Sequence, residues 1–351
     1  MLAPTTHFLA VTRICRTRLL PVPGRILVRK GQEVNATDVI AEARLEPEHL
    51  LLDLARGLGL PADKADQYIQ HRVGDEVDEG AIIAGPVGVT RRVVRSPKPG
   101  RVVAAGSGQV LMEVESKPFE LRAGIPGVVT ELLQDFGVEI ETTGALIQGV
   151  WGNGQIDDGV LDVEIHSRDD ILTVDRLDVS QRGSIIFGGF CGDAGVLSMA
   201  AEIPLRGLLL ASMDSALIPL AERMQYPIMV IEGLGKIPLN ETAYKLLTTN
   251  ERREVVVKAE RWDHMGHTRP EVVIPLPAQN SVQPPMEMIE LEPGQQVRIR
   301  FAPLGSEVGT IMNIRPGLTL LPSGIRAKAA EIKLENGESA VFPLINLEVL
   351  K

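Results

Sequence analysis

Two glycine-rich stretches in the middle of the chain carry residue types able to hold an anion. "FGGFCGDAG" (Phe187–Gly195) and "EGLGKIP" (Glu232–Pro238) each follow an apolar run and precede a helical pattern. Glycine lets a ligand approach the backbone closely, and free N–H groups at the start of a helix attract negative charge. A small anion or phosphorylated ligand would therefore sit on Gly189, Gly192 and Asp193, faced by the Gly233–Gly235 loop. The first stretch is neither GxGxxG nor GxxxxGK[ST], and it lacks a downstream lysine at phosphate-binding spacing. Asp193 would compete for the same N–H donors by capping the helix. An ordinary tight turn accounts for the same residues.

Other reactive types are sparse. Cys191 sits where a helix dipole would lower a thiol pKa, as in a nucleophile, but a lone cysteine in a turn is also simply structural. "RWDHMGHTRPE" holds Asp263, His264 and His267; the HxxH pair has metal-ligand spacing but shows no fourth ligand. No Ser–His–Asp order stands out. The residues predict no catalytic group, no metal and no cofactor.

The elements that would position these loops read as α/β. "GSIIFGG", "RGLLLAS", "YPIMVIEG" and "REVVVKAE" are continuous apolar strands. "DAGVLSMAAEI", "DSALIPLAERM" and "NETAYKLLTTN" are helices between them, with Asp193, Asp214 and Asn240 as N-caps. Such alternation predicts a small, largely parallel α/β domain over 161–278. The run from Arg206 to Gly235 also resembles the swivelling phosphohistidine domain of phosphoenolpyruvate-utilising enzymes. Its turn is Ser212, Met213, Asp214 and Ser215, with no histidine to carry the phosphoryl group.

The first 150 residues repeat a half-motif: "KGQEVNATDVIAEA", "VGDEVDEGAIIAGP" and "FGVEIETTGALIQGV". Each reads as strand, tight turn, strand. "VVRSPKPGRVVAAGSG" and "AGIPGVVTEL" supply a Pro and a Gly before a short Val-rich strand. Gly74, Asp75, Val77, Gly80, Ile82, Ile83 and Ala84, followed by Ser96, Pro97, Gly100, Val102 and Val103, resemble the biotinyl/lipoyl-like barrel-sandwich hybrid. The resemblance implies that fold over roughly 1–160. In carriers of that family a lysine at the hairpin tip holds the cofactor. Here the tip falls near Val89 and Thr90, no lysine lies between Gly74 and Ser96, and Arg91 and Arg92 cannot form the amide. No covalent biotin or lipoate is expected. Between the first two copies, Leu50, Leu51, Leu54 and Leu58 recur at helical spacing after Pro47. With "PADKADQYIQHR" they predict a helical hairpin inserted over 46–71, either capping the barrel or docking a partner.

Beyond a Pro-containing linker, 286–351 reads as five short strands with an Asn336-Gly337 hairpin turn. It resembles KOW/SH3-like barrels, a family common in ribosomal and transcription proteins. From Glu287 to Lys351, seven Lys/Arg face eight Asp/Glu. Arg298, Arg300, Arg315, Arg326 and Lys328 could still cluster, but the chain's net charge of −10 makes nucleic acid an unfavoured partner. Two cysteines in 351 residues exclude a disulfide scaffold and fit a reducing compartment. No apolar run is long enough to span a membrane. The expectation is a multidomain α+β protein: barrel-sandwich hybrid with helical insertion, small parallel α/β domain, SH3-like tail. Its expected role is a non-enzymatic cytoplasmic scaffold or adaptor with a protein partner. The alternatives are a ligand-binding protein or enzyme using the glycine loops, and an RNA- or transcription-associated factor acting through the tail.

Overall fold

Strand pairing in the first 150 residues follows the repeated half-motifs. The computed structural model describes residues 2–45, 48–114, 118–263, 268–277, 284–300 and 306–351. Its chain forms two compact units: Met1–Leu19, Leu27–Ile40 and Arg122–Lys351 in the larger, Leu20–Ile26 and Ala41–Leu121 in the smaller. In the larger unit Glu33–Val34 pairs antiparallel with Gly127–Leu132, Gly127 opposite Val34. In the smaller, Glu76–Val77 pairs antiparallel with Gly100–Gly106, Gly100 opposite Val77. The leading glycine has the same cause in both copies. A Cβ at Gly127 would lie 2.2 Å from the Glu141 carbonyl oxygen, and one at Gly100 would lie 2.4 Å from that of Glu113. Only a residue without a side chain admits a neighbouring strand this closely. The third copy departs from the expected strand–turn–strand. Gly137–Gln148 is one strand of 12 residues, paired antiparallel with Phe8–Leu19, with a register shift between Gly144 and Leu146, and with Glu271–Pro275.

The smaller unit corrects the helical insertion. Glu48–Asp53 is a strand paired with Gln109–Val114, Leu50 opposite Met112 and Leu52 opposite Val110. Leu50 and Leu52 pack on the core while Leu51 is 57% exposed. The leucine run therefore has a period of two, because an unpaired edge of Gln109–Val114 is there to receive it. The helix begins only at Leu54–Leu58, where the Asp53 carboxylate accepts from the Arg56 N–H, and it ends at Gly59 with φ 69°. The second short helix is present as Ala62–Ala65, continued by a 3-10 turn at Asp66–Tyr68.

In the larger unit four parallel strands lie side by side: Ile156–Val163, Ser184–Cys191, Gly207–Met213 and Ile228–Leu234. Their residues alternate between two cores. Ile185, Phe187, Leu209 and Ile231 face the helix Glu241–Thr249, while Ile186, Leu208, Leu210 and Val230 face the helix Ala194–Glu202. Burial on both faces explains the continuous apolar runs. The parallel order stops at Glu254–Lys258, which runs antiparallel to Ile156–Val163 and leads through Glu271–Pro275 into the long strand Gly137–Gln148. "DSALIPLAERM" forms only a 3-10 turn and one α-turn, Ile218–Ala221, with Pro219 in its first turn.

The tail strands Gln296–Arg300, Ser306–Ile314, Ala329–Leu334, Ser339–Pro343 and Leu347–Leu350 form one sheet, with Gly337 at φ 90° in the hairpin. That sheet recruits the start of the chain. Leu2–Thr6 lies between Met288–Glu290 and Leu347–Leu350, parallel to the latter. The protein is thus multi-sheet and mostly β, with few and short helices. Among the described residues no helix is long and apolar enough to cross a membrane.

Candidate functional site

The hairpin read from the sequence near Val89 and Thr90 is present in the smaller unit. Ile82–Val87 and Arg92–Arg95 pair antiparallel and are joined by Gly88, Val89, Thr90 and Arg91. Glycine shapes both the turn and its base. Gly88 has φ 69° and Arg91 φ 48°. A Cβ at Gly57 would lie 2.5 Å from Val94 Cγ2, and one at Gly59 would lie 2.3 Å from Arg92 Nη1. The strand Arg92–Arg95 therefore rests directly on the helix Leu54–Leu58. Arg95 Nη1 donates to the Gly80 carbonyl at 2.7 Å, pinning the base further. At the tip Val89 is wholly exposed, and Thr90 and Arg91 are exposed beside it. Lys98 stands outside this ladder, paired with Glu48 at 2.7 Å.

The parallel strands bring the predicted loop residues to one end of their sheet, in the register Phe190–Ser212–Gly233. Each has local work there. A Cβ at Gly189 would lie 2.0 Å from the Asp170 carbonyl oxygen, because the segment around Asp170 pairs with Phe190. Gly192 faces the Phe190 ring. Asp193 caps its helix, accepting from the Gly195 N–H at 2.8 Å. Gly233 lies within the buried strand, and Gly235, at φ 101°, donates its N–H to the Met213 carbonyl. Ser212 is fully buried and both donates to and accepts from the Ile237 backbone, at 2.8 and 3.1 Å. Asp214 caps the following turn through the Ala216 N–H.

Burial pushes the Cys191 thiol up to about 11, the reverse of what a nucleophile needs. His264 and His267, like Pro47, lie outside the described residues. In the tail, the arginine cluster loses a member. Arg298 is 1% exposed, with Nη2 2.5 Å from Glu232 Oε2, so it offers nothing to a phosphate. Arg300 lies over the Trp262 ring at 4.3 Å.

Arg298 belongs to a buried ionic chain that sequence reasoning missed. Arg269 pairs with Glu348, and Arg298 lies 3.8 Å from the same carboxylate. Burial pushes Glu348 up, but the two guanidiniums outweigh it and hold the carboxyl below its ordinary range. Glu232 also accepts from the Asn240 backbone N–H at 2.9 Å. Beside this chain lies a pocket of about 230 Å³ lined by Thr5, His7, Gln148 and Arg269 within and by Trp262, Asp263 and Glu287 at its mouth. His7 is 2% exposed, and neither ring nitrogen meets a protein partner in hydrogen-bond geometry. Burial first, then the charges of Arg269, Arg16 and Lys351, push its pKa down to about 4; the Met286 carbonyl opposes them weakly. The four inner residues come from three distant stretches of sequence, around Thr5 and His7, Gln148 and Arg269, which is why no motif announced them.

No protein-family model matches the chain, and no curated protein sequence matches it.

Proposed function

We propose that the chain is a non-enzymatic scaffold or adaptor whose smaller unit presents its hairpin to a protein partner. One observation carries the reading: the hairpin is anchored at its base by close packing at Gly57 and Gly59, while its tip projects a wholly exposed Val89 next to Arg91. An apolar side chain flanked by a cation is a protein contact in chemistry, suited to a partner surface with an apolar pocket and an acidic rim. The paired half-motifs Glu76–Val77 and Gly100–Gly106 support a biotinyl/lipoyl-like barrel-sandwich hybrid without its arm. The tail strands support an SH3-like barrel in the same way.

The test compares the full chain with Val89→Asp and Arg91→Glu. Each is incubated with extract of the native cell and cross-linked, and the captured proteins are identified. A discrete partner held by the wild type and lost from both variants, at unchanged melting temperature, supports the reading. Equal recovery by wild type and variants overturns it.

A further inference from the structure

The stretch "RPGLTLLPSGIRAK" (315–328) joins two strands of the tail sheet, Ser306–Ile314 and Ala329–Leu334, which pair antiparallel. It forms its own two-stranded ladder outside that sheet, with Thr319 opposite Ala327 and Leu320 opposite Arg326. At the tip the Leu321 N–H donates to the Ile325 carbonyl at 2.9 Å and the Gly324 N–H to the Leu321 carbonyl at 2.8 Å. Gly324, at φ 81°, permits the turn. Residues opposite one another share a face of the ladder. Thr319 and Ala327 are half-buried on one face; Leu320 and Arg326 are exposed on the other.

This arm exposes what a soluble surface usually hides. Leu318, Leu320 and Ile325 are 67, 63 and 63% exposed. A fourth aliphatic residue, Ile345, is 78% exposed on the turn Leu344–Asn346, whose Leu344 N–H donates to the Lys328 carbonyl at the base of the arm. Scattered exposed apolar residues need no explanation, but several on one short arm do. Charge sets the arm apart as well. No Asp or Glu lies between Glu307 and Glu331, in a chain with 46 acidic residues against 36 Lys and Arg. Arg315, Arg326 and Lys328 are exposed, and among the described residues none of the three makes an ion pair.

We infer that this arm docks the protein onto the surface of an anionic phospholipid bilayer. Leu318, Leu320 and Ile325 enter the headgroup layer, while Arg315, Arg326 and Lys328 stay at the lipid phosphates. Aliphatic groups beside unpaired cations are the composition of an interfacial segment, in which apolar side chains reach the acyl boundary and Lys and Arg hold the charged headgroups. The tip's backbone suits that depth. Pro322 has no N–H, and those of Leu321 and Gly324 are bonded within the turn, which lowers the polar cost of leaving water. Apart from Ser323 the arm exposes no uncharged polar side chain, and it has no aromatic ring. It therefore lacks the directional groups by which a base edge is read and the ring on which a base stacks. The chain's net charge of −10 does not oppose this docking, because at physiological salt charges beyond about 8 Å are largely screened.

The test mixes the full chain with large unilamellar vesicles and measures the fraction that sediments with lipid. The vesicles are phosphatidylcholine alone, or phosphatidylcholine with one-third phosphatidylglycerol. Binding is expected on the anionic vesicles, weaker on the neutral ones, and falling as salt is raised. Arg326→Gln with Lys328→Gln should weaken it about 25-fold, at about fivefold for each cation near a charged surface. Leu320→Asp with Ile325→Asp should abolish it. All four positions are exposed, so both double variants should keep the wild-type melting temperature. Val89→Asp, in the other unit, should bind vesicles as the wild type does. Three results overturn the inference: no sedimentation with anionic vesicles at low salt; undiminished binding by either double variant; or tighter binding to single-stranded RNA or polyglutamate than to the vesicles, lost in the same variants, which would give the arm to a nucleic acid or an acidic protein.

Discussion

Replacing Glu271 by glutamine should cost about 3 kcal/mol at neutral pH, and the cost should fade in acid. Glu271 is 2% exposed on the strand Glu271–Pro275, opposite Lys258 in register. Arg16 grips it with Nε at 3.0 and 3.1 Å and Nη2 at 2.6 Å, and Lys258 Nζ lies 3.2 Å away. Burial alone would raise its pKa, but Arg16 and Lys258 outweigh burial and hold it at about 2, against an ordinary 4.5. A carboxyl depressed in the folded state contributes stability that is complete above the unfolded pKa and is lost as pH falls through the folded one. The gap between 4.5 and about 2 corresponds to about 3 kcal/mol. That lies at the low end of the ~3–5 kcal/mol for breaking a buried ion pair, as expected where both cations keep an outlet. Lys258 retains Glu260 at 3.1 Å, and the Arg16 side chain is 19% exposed. Urea unfolding of wild type and Glu271→Gln at pH 7, 5.5, 4 and 3 measures it. The difference should be nearly constant down to pH 5.5, and about half of it should be gone by pH 3. A difference below about 1 kcal/mol at pH 7, or one that stays constant to pH 3, would refute the linkage.

Arg298→Met should destabilise by about 3–5 kcal/mol, because it leaves an excess negative charge between Glu232 and Glu348. Adding Glu232→Gln, which preserves an acceptor for Asn240, should recover part of that loss; strictly additive urea-unfolding energies would show that the two do not interact. Asp193→Ala should cost about 1 kcal/mol through the lost helix cap, seen as a lower urea midpoint with an unchanged slope. A thiol-reactive dye at pH 8 should leave the buried Cys191 unmodified until urea unfolds the chain; fast reaction of two thiols in the native protein would contradict its burial. Intact mass of native protein should show no biotinyl or lipoyl adduct, since the hairpin tip from Gly88 to Arg91 has no lysine.

The chain's local order determined a good deal by itself. Apolar runs buried on both faces revealed the parallel strands Ser184–Cys191, Gly207–Met213 and Ile228–Leu234. Asp193, Asp214 and Asn240 marked the turns they cap, because a cap is a contact within three residues. Asn336-Gly337 marked its hairpin, and the Pro-plus-Gly pattern marked the short Val-rich strands that begin at Gly100 and Gly127. The lysine-free tip was legible for the same reason: it lies on one short hairpin.

What the tertiary structure decided depends on partners far away in sequence. The leucine run of Glu48–Asp53 is consistent with either period until the strand Gln109–Val114 offers its edge, and then Leu51 turns outward. Leu2–Thr6 carries no sign that it will pair with Leu347–Leu350, more than three hundred residues on. The pocket around His7 follows from that pairing. Thr5 and His7 reach it only because the first strand crosses between sheets, and Arg269 reaches it only because Glu348 lies buried beside it. A buried charge or an unpaired imidazole is a property of an environment, and the sequence specifies that environment only through the contacts of the folded chain.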